Sequence, residues 1–102
     1  MYGTLVRMRP KAGNQDALVA LLRGHEPDDV IDGFVVEYLL TPDAGSDELV
    51  GLIVFSSRGA YWKNARSPEQ DQRYQVFRSL LAEDPVWLDG EIVAAEPASV
   101  SL

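Results

Sequence analysis

The stretch that decides the fold is Ser56–Leu81, SSRGAYWKNARSPEQDQRYQVFRSLL, because it contains two helix starts separated by a proline. Ser57 is placed to cap a helix over Arg58–Arg66, since a serine hydroxyl accepts hydrogen bonds from the free N–H groups of a first helical turn. Pro68 disfavours the helical conformation for the residue before it and suits the first position of a second helix. The stretch therefore predicts two helices that meet at a bend.

The second predicted helix, Pro68–Leu81, begins with a cap and carries one apolar face. Ser67 is the expected cap, with Gln70 three residues later as its capping-box partner. The apolar positions recur at helical spacing and are Tyr74, Phe77, Leu80 and Leu81. Two interpretations of the aromatic rings stay open. Periodicity favours ordinary core, whereas the polar tips of Tyr61 and Tyr74 are compatible with the lining of a cleft.

The rest of the chain predicts four strands and one further helix. Asn14 can cap that helix and Gly24 can end it. An Asp89-Gly90 turn precedes the last strand, which is expected to begin near Glu91 within Val86–Glu96. The other predicted elements are a strand over Gly3–Arg9, a helix over Gln15–Arg23, and strands over Phe34–Leu40 and Glu48–Phe55.

This order, β-α-β-β-α-β, predicts an α+β fold of the ferredoxin-like type with a four-stranded antiparallel sheet. The helices of such a fold cover only one face of the sheet. Phe34–Leu40 and Glu48–Phe55 are apolar on both faces, so the uncovered face also needs a partner. In a chain this small, the expected partner is a second copy, which gives a homodimer.

Composition limits the classes of partner. A chain of 102 residues is expected to form one domain over residues 1–102. The net charge of -7 argues against nucleic acid and anionic membranes as partners. The first residues lack the apolar core of a signal peptide, and no apolar run reaches transmembrane length. A cytoplasmic location is therefore expected.

No pattern in the sequence predicts a metal or a cofactor. The chain has no cysteine, and no glycine-rich phosphate loop is present. The loop His25–Gly33 combines the one histidine with four carboxylates, but their spacing matches neither an EF-hand nor a zinc site. Acidic loops of this kind are usually solvated surface. The role of His25 stays open, with a favourable position after a helix C-terminus as its structural use.

The segment Val50–Pro68, VGLIVFSSRGAYWKNARSP, resembles the antibiotic biosynthesis monooxygenase family of the dimeric α+β barrel superfamily. The resemblance lies in a strand that ends in an aromatic residue, a serine cap, an Ala-aromatic pair and a helix break. The matching residues are Phe55, Ser57, Ala60-Tyr61 and Ser67-Pro68. Members of this family include cofactor-independent oxygenases of aromatic polyketide quinols, which resemble this chain at the helical Tyr61. They have asparagine where this chain has Gly51 and tryptophan where it has Phe55, so Gly51 is interpreted as making room for a bulkier ligand.

Haem-degrading relatives differ more. Their first-strand asparagine, helical tryptophan and histidine iron ligand align with Leu5, Asn64 and Arg73, and Trp62 lies on another face of the helix. The resemblance therefore implies that haem is not bound.

The resulting hypothesis is a cofactor-independent monooxygenase-like enzyme that acts on an aromatic or quinol-type small molecule. The expected catalytic residues are Tyr61, Tyr74 and Arg78, and the expected substrate-binding residues are Gly51, Phe55, Trp62, Asn64 and Phe77. The pocket is predicted between the helix-facing side of the sheet and the two bent helices. The alternatives are a non-catalytic or regulatory dimer that binds a small apolar or aromatic ligand in the same pocket, and a structural oligomerisation domain with the rings as core.

Overall fold

A computed structural model describes residues 1–23, 31–44 and 47–96 and has the predicted ferredoxin-like α+β fold. The four strands form one antiparallel sheet in the order β2-β3-β1-β4. The elements in chain order are β1 (Tyr2–Met8), α1 (Gln15–Leu22), β2 (Phe34–Leu40), β3 (Leu49–Phe55), α2 (Arg58–Ala65), α3 (Pro68–Ser79) and β4 (Val86–Glu91).

The strand register decides which side chains face the helices. Met8 lies opposite Leu49, and Val6 lies opposite Gly51. Thr4 and Tyr2 continue the same face of β1 towards Ile53 and Phe55 of β3, because residues that oppose each other in a ladder share a face. The helix-facing side of the two central strands is therefore packed at one end and rich in aromatic residues at the other.

The hydrophobic core fills one end of the space between the sheet and the helices. Its buried residues come from both central strands, α1, α3 and the turn after α3, and they are Val6, Met8, Leu18, Leu49, Phe77 and Leu81. The backbone after α3 closes this end, because the Lys11 N–H donates to the Leu80 carbonyl and the Ala82 N–H donates to the Arg9 carbonyl. The opposite end of the space is left for the cavity described below.

The bend between α2 and α3 is built as the sequence predicts. The Ala60 N–H donates to Ser57 Oγ at 3.1 Å, and the Gln70 N–H donates to Ser67 Oγ at 3.2 Å. Pro68 occupies the first turn of α3. In a full capping box the Gln70 side chain would accept a hydrogen bond from the Ser67 N–H. Here the Ser67 N–H donates to the Asn64 carbonyl instead. Asn14 lies at the N-cap of α1, but its side chain makes no capping hydrogen bond.

The last strand differs from the prediction. β4 covers Val86–Glu91, so Asp89 and Gly90 lie inside the strand and form no turn. Thr4 of β1 lies opposite Asp89, and Gly3 lies opposite Gly90. Pairing with β1 outweighs the turn preference of the Asp-Gly dipeptide, and it turns Trp87 and Asp89 towards the helices.

The chain reaches β2 through a glycine that no other residue could replace easily. Gly33 has φ 78°, and a Cβ on it would overlap the Cβ of Ala60 in α2. The Ser56 N–H donates to the Gly33 carbonyl at 2.7 Å. These contacts hold the start of β2 against the start of α2. The predicted Gly24 cap and the His25 end of the acidic loop lie outside the described residues.

Candidate functional site

A cavity of about 480 Å³ lies between the helix-facing side of the sheet and the helices, at the end that the core leaves open. Its floor comes from the strands, with Ile53 at the centre. α2 and α3 form its roof, and the end of α1 supplies Leu21 and Leu22. This is the position predicted from the sequence for the pocket. A concave and mostly apolar site of this size is typical of small-molecule binding.

Aromatic rings form the wall of the cavity on the α2 side. The Tyr61 ring lies 5.2 Å from the ring of Tyr2, 5.6 Å from that of Phe55 and 5.0 Å from that of Trp62, measured between centroids. These tilted and edge-on arrangements are the favourable ones for aromatic pairs. The cap at Ser57 sets the start of α2 and so determines where Tyr61 enters this cluster.

The hydroxyl of Tyr61 lies at one polar end of the cavity. It donates to Asp89 Oδ1 at 3.4 Å, a long hydrogen bond. Burial and then the nearby Asp89 carboxylate raise the pKa of Tyr61 to about 12. The Thr4 hydroxyl offsets part of this rise, but it is buried and makes no well-formed hydrogen bond among the described residues. Tyr61 is therefore a neutral hydrogen-bond donor at physiological pH.

The second polar end of the cavity is formed by Glu37 of β2 and Arg73 of α3. Glu37 Oε1 is buried and has no hydrogen-bond partner in the described part of the chain. Burial raises the pKa of Glu37, and the positive charge of Arg73 offsets part of that rise. Arg73 also donates to the Leu21 carbonyl at 3.4 Å, which ties α3 to the end of α1. A carboxyl group and a guanidinium group therefore face this end of a mostly apolar space.

Most of the residues expected from the sequence to form a site lie together at this cavity. Six of them line it: Phe55, Tyr61, Trp62, Asn64, Tyr74 and Phe77. Tyr74 stands at the edge, with 41% of its surface exposed, and its ring packs on Phe77 at 5.8 Å. The bend at Ser67-Pro68 brings the α2 and α3 members of this set to one space.

Two expected site residues lie elsewhere. Gly51 faces the helices but meets the core, since a Cβ there would lie 3.1 Å from Val6 Cγ1 and 3.5 Å from Leu39 Cδ2. The gap left by the missing side chain is filled by its neighbours. Arg78 does not reach the cavity, because its Nε donates to Asp84 at 2.7 Å and its guanidinium to the Leu81 carbonyl at 3.1 Å.

Several cavity residues were not expected from the sequence. Glu37 is the one charged residue in the apolar strand FVVEYLL, and this was the signal available for it. Trp87 and Asp89 were not expected at the cavity, because the predicted Asp89-Gly90 turn placed them before the last strand, whereas both lie within β4. Thr4 carries no sequence signal of its own, because a threonine in a strand is common.

The part of the chain that the structure describes has neither a membrane-spanning helix nor a metal-binding cluster. None of the helices there has the length and apolar character needed to cross a membrane. Histidine, aspartate and glutamate side chains do not cluster in groups of three or more suited to a metal ion within residues 1–23, 31–44 and 47–96.

Known structures share this architecture over nearly the whole chain, although no family profile and no curated protein matches the sequence. A Mycobacterium tuberculosis protein, Rv0793, is 24% identical with a TM-score of 0.73, over 96% of this chain and 98% of its own. A Nitrosomonas europaea protein provisionally assigned to the antibiotic biosynthesis monooxygenases is 16% identical with a TM-score of 0.75, over 92% and 100% of the two chains.

A third similar structure is a mutant of SnoaB, a cofactor-independent oxygenase from Streptomyces nogalater. It is 14% identical with a TM-score of 0.75, over 95% of this chain and 97% of its own. At these identities the likeness concerns the fold. The chain thus has the fold of the antibiotic biosynthesis monooxygenase structures, which is the family that its sequence resembles.

Proposed function

We propose that the chain is a homodimeric, cofactor-independent monooxygenase-like enzyme that acts on an aromatic or quinol-type small molecule. The observation that carries the proposal is the cavity of about 480 Å³, with aromatic rings on its walls and polar groups at two ends. Flat aromatic ligands match such walls, because rings stack or meet edge-on at the distances seen within the cluster around Tyr61. The name of SnoaB, a cofactor-independent oxygenase of the same fold, supports the choice of reaction.

In this reaction the substrate supplies the electrons. Its ionised form transfers an electron to dioxygen, so that no added reductant is needed. The protein holds the ring system, excludes water from it and stabilises the negative charge. Tyr61 and Tyr74 line the cavity and carry the proposed donor role, in which Tyr61 would exchange its long hydrogen bond to Asp89 for one to a bound oxygen atom. Among the described residues that line the cavity, Arg73 is the cation, and it takes the charge-stabilising role that the sequence assigned to Arg78.

The homodimer is proposed from the sheet face that the helices leave uncovered. One cross-strand row on this face consists of Tyr38, Leu52, Leu5 and Leu88, and it is apolar across all four strands. Tyr38 is 62% exposed and Leu88 is 69% exposed in the single chain. A continuous apolar patch of this kind marks an interaction surface. The partner proposed for this face is the same face of a second copy, because most soluble oligomers are symmetric assemblies of identical chains.

A non-catalytic ligand-binding or regulatory dimer is the second candidate. It is favoured by Gly51, which occupies the position where the oxygenases that the sequence resembles carry an asparagine. That asparagine would orient substrate or oxygen by hydrogen bonding, and Gly51 has no side chain and lies in packed core. Such a protein would bind the same ligands in the same cavity without consuming oxygen.

Oxygen uptake with a panel of quinols and phenols tests the first candidate. An enzyme should consume oxygen without added reductant, and Trp62→Ala should reduce both ligand binding and uptake because it removes part of the cavity wall. Arg78→Ala is the matched control, since Arg78 lies outside the cavity. Saturable ligand binding without oxygen uptake would leave the second candidate. Failure of every ring-containing ligand to bind would contradict both.

A further inference from the structure

We propose that Glu37 is the hydrogen-bond and proton acceptor for an acidic hydroxyl group of the cavity's ligand. This inference rests on the proposed function, because it needs an aromatic hydroxyl compound in the cavity. It adds a carboxyl group to a site whose proposed catalytic residues are otherwise two tyrosines and an arginine.

Glu37 lies where a ligand would meet an acceptor without a competing partner. It lines the cavity, and its Oε1 is buried without a hydrogen-bond partner among the described residues. Glu37 opposes Ile53, which in turn opposes Thr4. Strands in a sheet are about 4.8 Å apart, so Glu37 and Thr4 stand roughly 10 Å from each other across Ile53. The buried Thr4 hydroxyl makes no well-formed hydrogen bond among the described residues, although it lies close enough to Tyr61 to lower the pKa of that residue.

Buried polar atoms in folded proteins are almost always hydrogen-bonded to protein or to ordered water. Because Glu37 Oε1 has no hydrogen-bond partner among the described residues, we infer that a group outside them, such as a bound ligand, completes the hydrogen bonding of this carboxyl. A ring system lying over Ile53 would place its edges towards Glu37 and Thr4. The edge of the ring system that carries an acidic hydroxyl would lie at Glu37, because an ionised carboxylate accepts hydrogen bonds and donates none.

The other titratable groups at the cavity are less suited to accept this proton. Tyr61 already donates to Asp89, and its pKa of about 12 keeps it neutral. Asp71 and Tyr74 are exposed on α3. Arg73 is a cation and can only donate. Among the described groups at the cavity, Glu37 is the half-buried carboxyl, and burial raises its pKa above the ordinary value.

The step itself is a proton transfer without a redox change. The O–H bond of the ligand breaks, a new O–H bond forms on the Glu37 carboxylate, and the electron pair stays on the ligand oxygen. The nearby Arg73 charge stabilises the negative charge before and after the transfer. The ionised ligand is then the electron donor that the proposed reaction with dioxygen requires.

Binding of 2-naphthol and of its methyl ether, 2-methoxynaphthalene, tests the acceptor role without any catalysis. A hydrogen bond to a charged acceptor favours the hydroxyl compound by about tenfold. We expect this preference in the wild type to grow as the pH rises from 4 to 8, because Glu37 accepts from the ligand when it is ionised and burial raises its pKa above the ordinary value. Naphthol stays neutral there, since phenolic hydroxyls ionise near pH 10.

Glu37→Gln should reduce the preference to about twofold and abolish its pH dependence. Among the described residues, the other charged or titratable side chains at the cavity are Tyr61 of α2, Asp71, Arg73 and Tyr74 of α3, and Asp89 of β4. Any pH dependence that persists in Glu37→Gln belongs to groups other than Glu37. Glu91→Gln removes an exposed carboxylate of β4 and should bind both probes as the wild type does.

Two results would overturn the proposal: an equal preference in wild type and Glu37→Gln, or a wild-type preference that does not grow with pH. The second result requires no variant, so a folding defect in Glu37→Gln would not block the test. For a quinol that consumes oxygen, Glu37→Gln should lower kcat by about 10²-fold or more with a small change in KM. A preference that depends on Glu37 without oxygen uptake would support the acceptor role and contradict the oxygenase.

Discussion

At the scale of single residues, Gly51 shows that a missing side chain does not by itself open a pocket. Neighbours from β1 and β2 close over it, with Val6, Met8 and Leu39 within 3.1 to 3.6 Å of a Cβ placed there. We expect Gly51→Leu to reduce the free energy of unfolding by about 1–3 kcal/mol through overpacking. Naphthol affinity of the folded fraction should stay within about twofold of the wild type. Urea denaturation measures the stability and equilibrium dialysis measures the affinity. A stable variant that no longer binds naphthol would show that Gly51 makes room for the ligand, as the sequence suggests.

Glu37 should also make stability depend on pH. Its folded pKa lies above its ordinary value because of burial, so the folded chain holds this proton more tightly than the unfolded chain. Its contribution to stability is therefore greatest below the unfolded pKa and is lost as the pH rises through the folded pKa. We expect Glu37→Gln to be more stable than wild type at pH 7, with a gain that shrinks towards pH 4.

Thermal unfolding between pH 4 and pH 7 measures this difference. Glu91→Gln changes the net charge of the chain equally from an exposed position, and its stability difference should vary less with pH. A Glu37→Gln difference that is the same at both ends of the pH range would show that Glu37 is solvated in the folded chain.

At the scale of elements, the capping serines connect local sequence to the cavity. Ser57→Ala removes the acceptor for the Ala60 N–H, and we expect a loss of about 1 kcal/mol of stability. Ser56→Ala is the matched control, because Ser56 precedes the cap and its exposed side chain should contribute less than about 0.5 kcal/mol. Denaturant midpoints compare the two variants. Equal losses would mean that the Ser57 cap does not stabilise α2.

Elements with strong local signals were predictable from the sequence, and those that depend on distant pairing were not. The α2–α3 bend follows from Ser57, Ser67 and Pro68, whose effects are local. β4 was misplaced because the Asp89-Gly90 dipeptide has a local turn preference, whereas its strand conformation comes from pairing with β1, more than 80 residues earlier. The same limit applies to the cavity. Its aromatic members on α2 and α3 follow from helical periodicity, but Glu37 joins them only through the sheet register.

At the scale of the whole molecule, the two faces of the sheet have different roles. The helix-facing side is divided between core and cavity. The other side presents the apolar row Tyr38, Leu52, Leu5 and Leu88 without cover from the described elements. In the proposed function, ligand binding belongs to the helix-facing side of each protomer and association to the opposite face. This division predicts that association can be disrupted without loss of the cavity.

Leu88→Glu is the change that tests this division. Leu88 is 69% exposed in the single chain, so a charged residue there should leave the fold intact while placing a carboxylate in an apolar contact between two copies. We expect a dimer mass for the wild type at micromolar concentration by light scattering, and a monomer mass for Leu88→Glu with an unchanged circular dichroism spectrum. Val76→Glu makes a similar change at a 52% exposed position of α3, on the other side of the sheet, and should remain a dimer. A wild-type monomer, or an undisturbed Leu88→Glu dimer, would show that the uncovered sheet face is not the dimer interface.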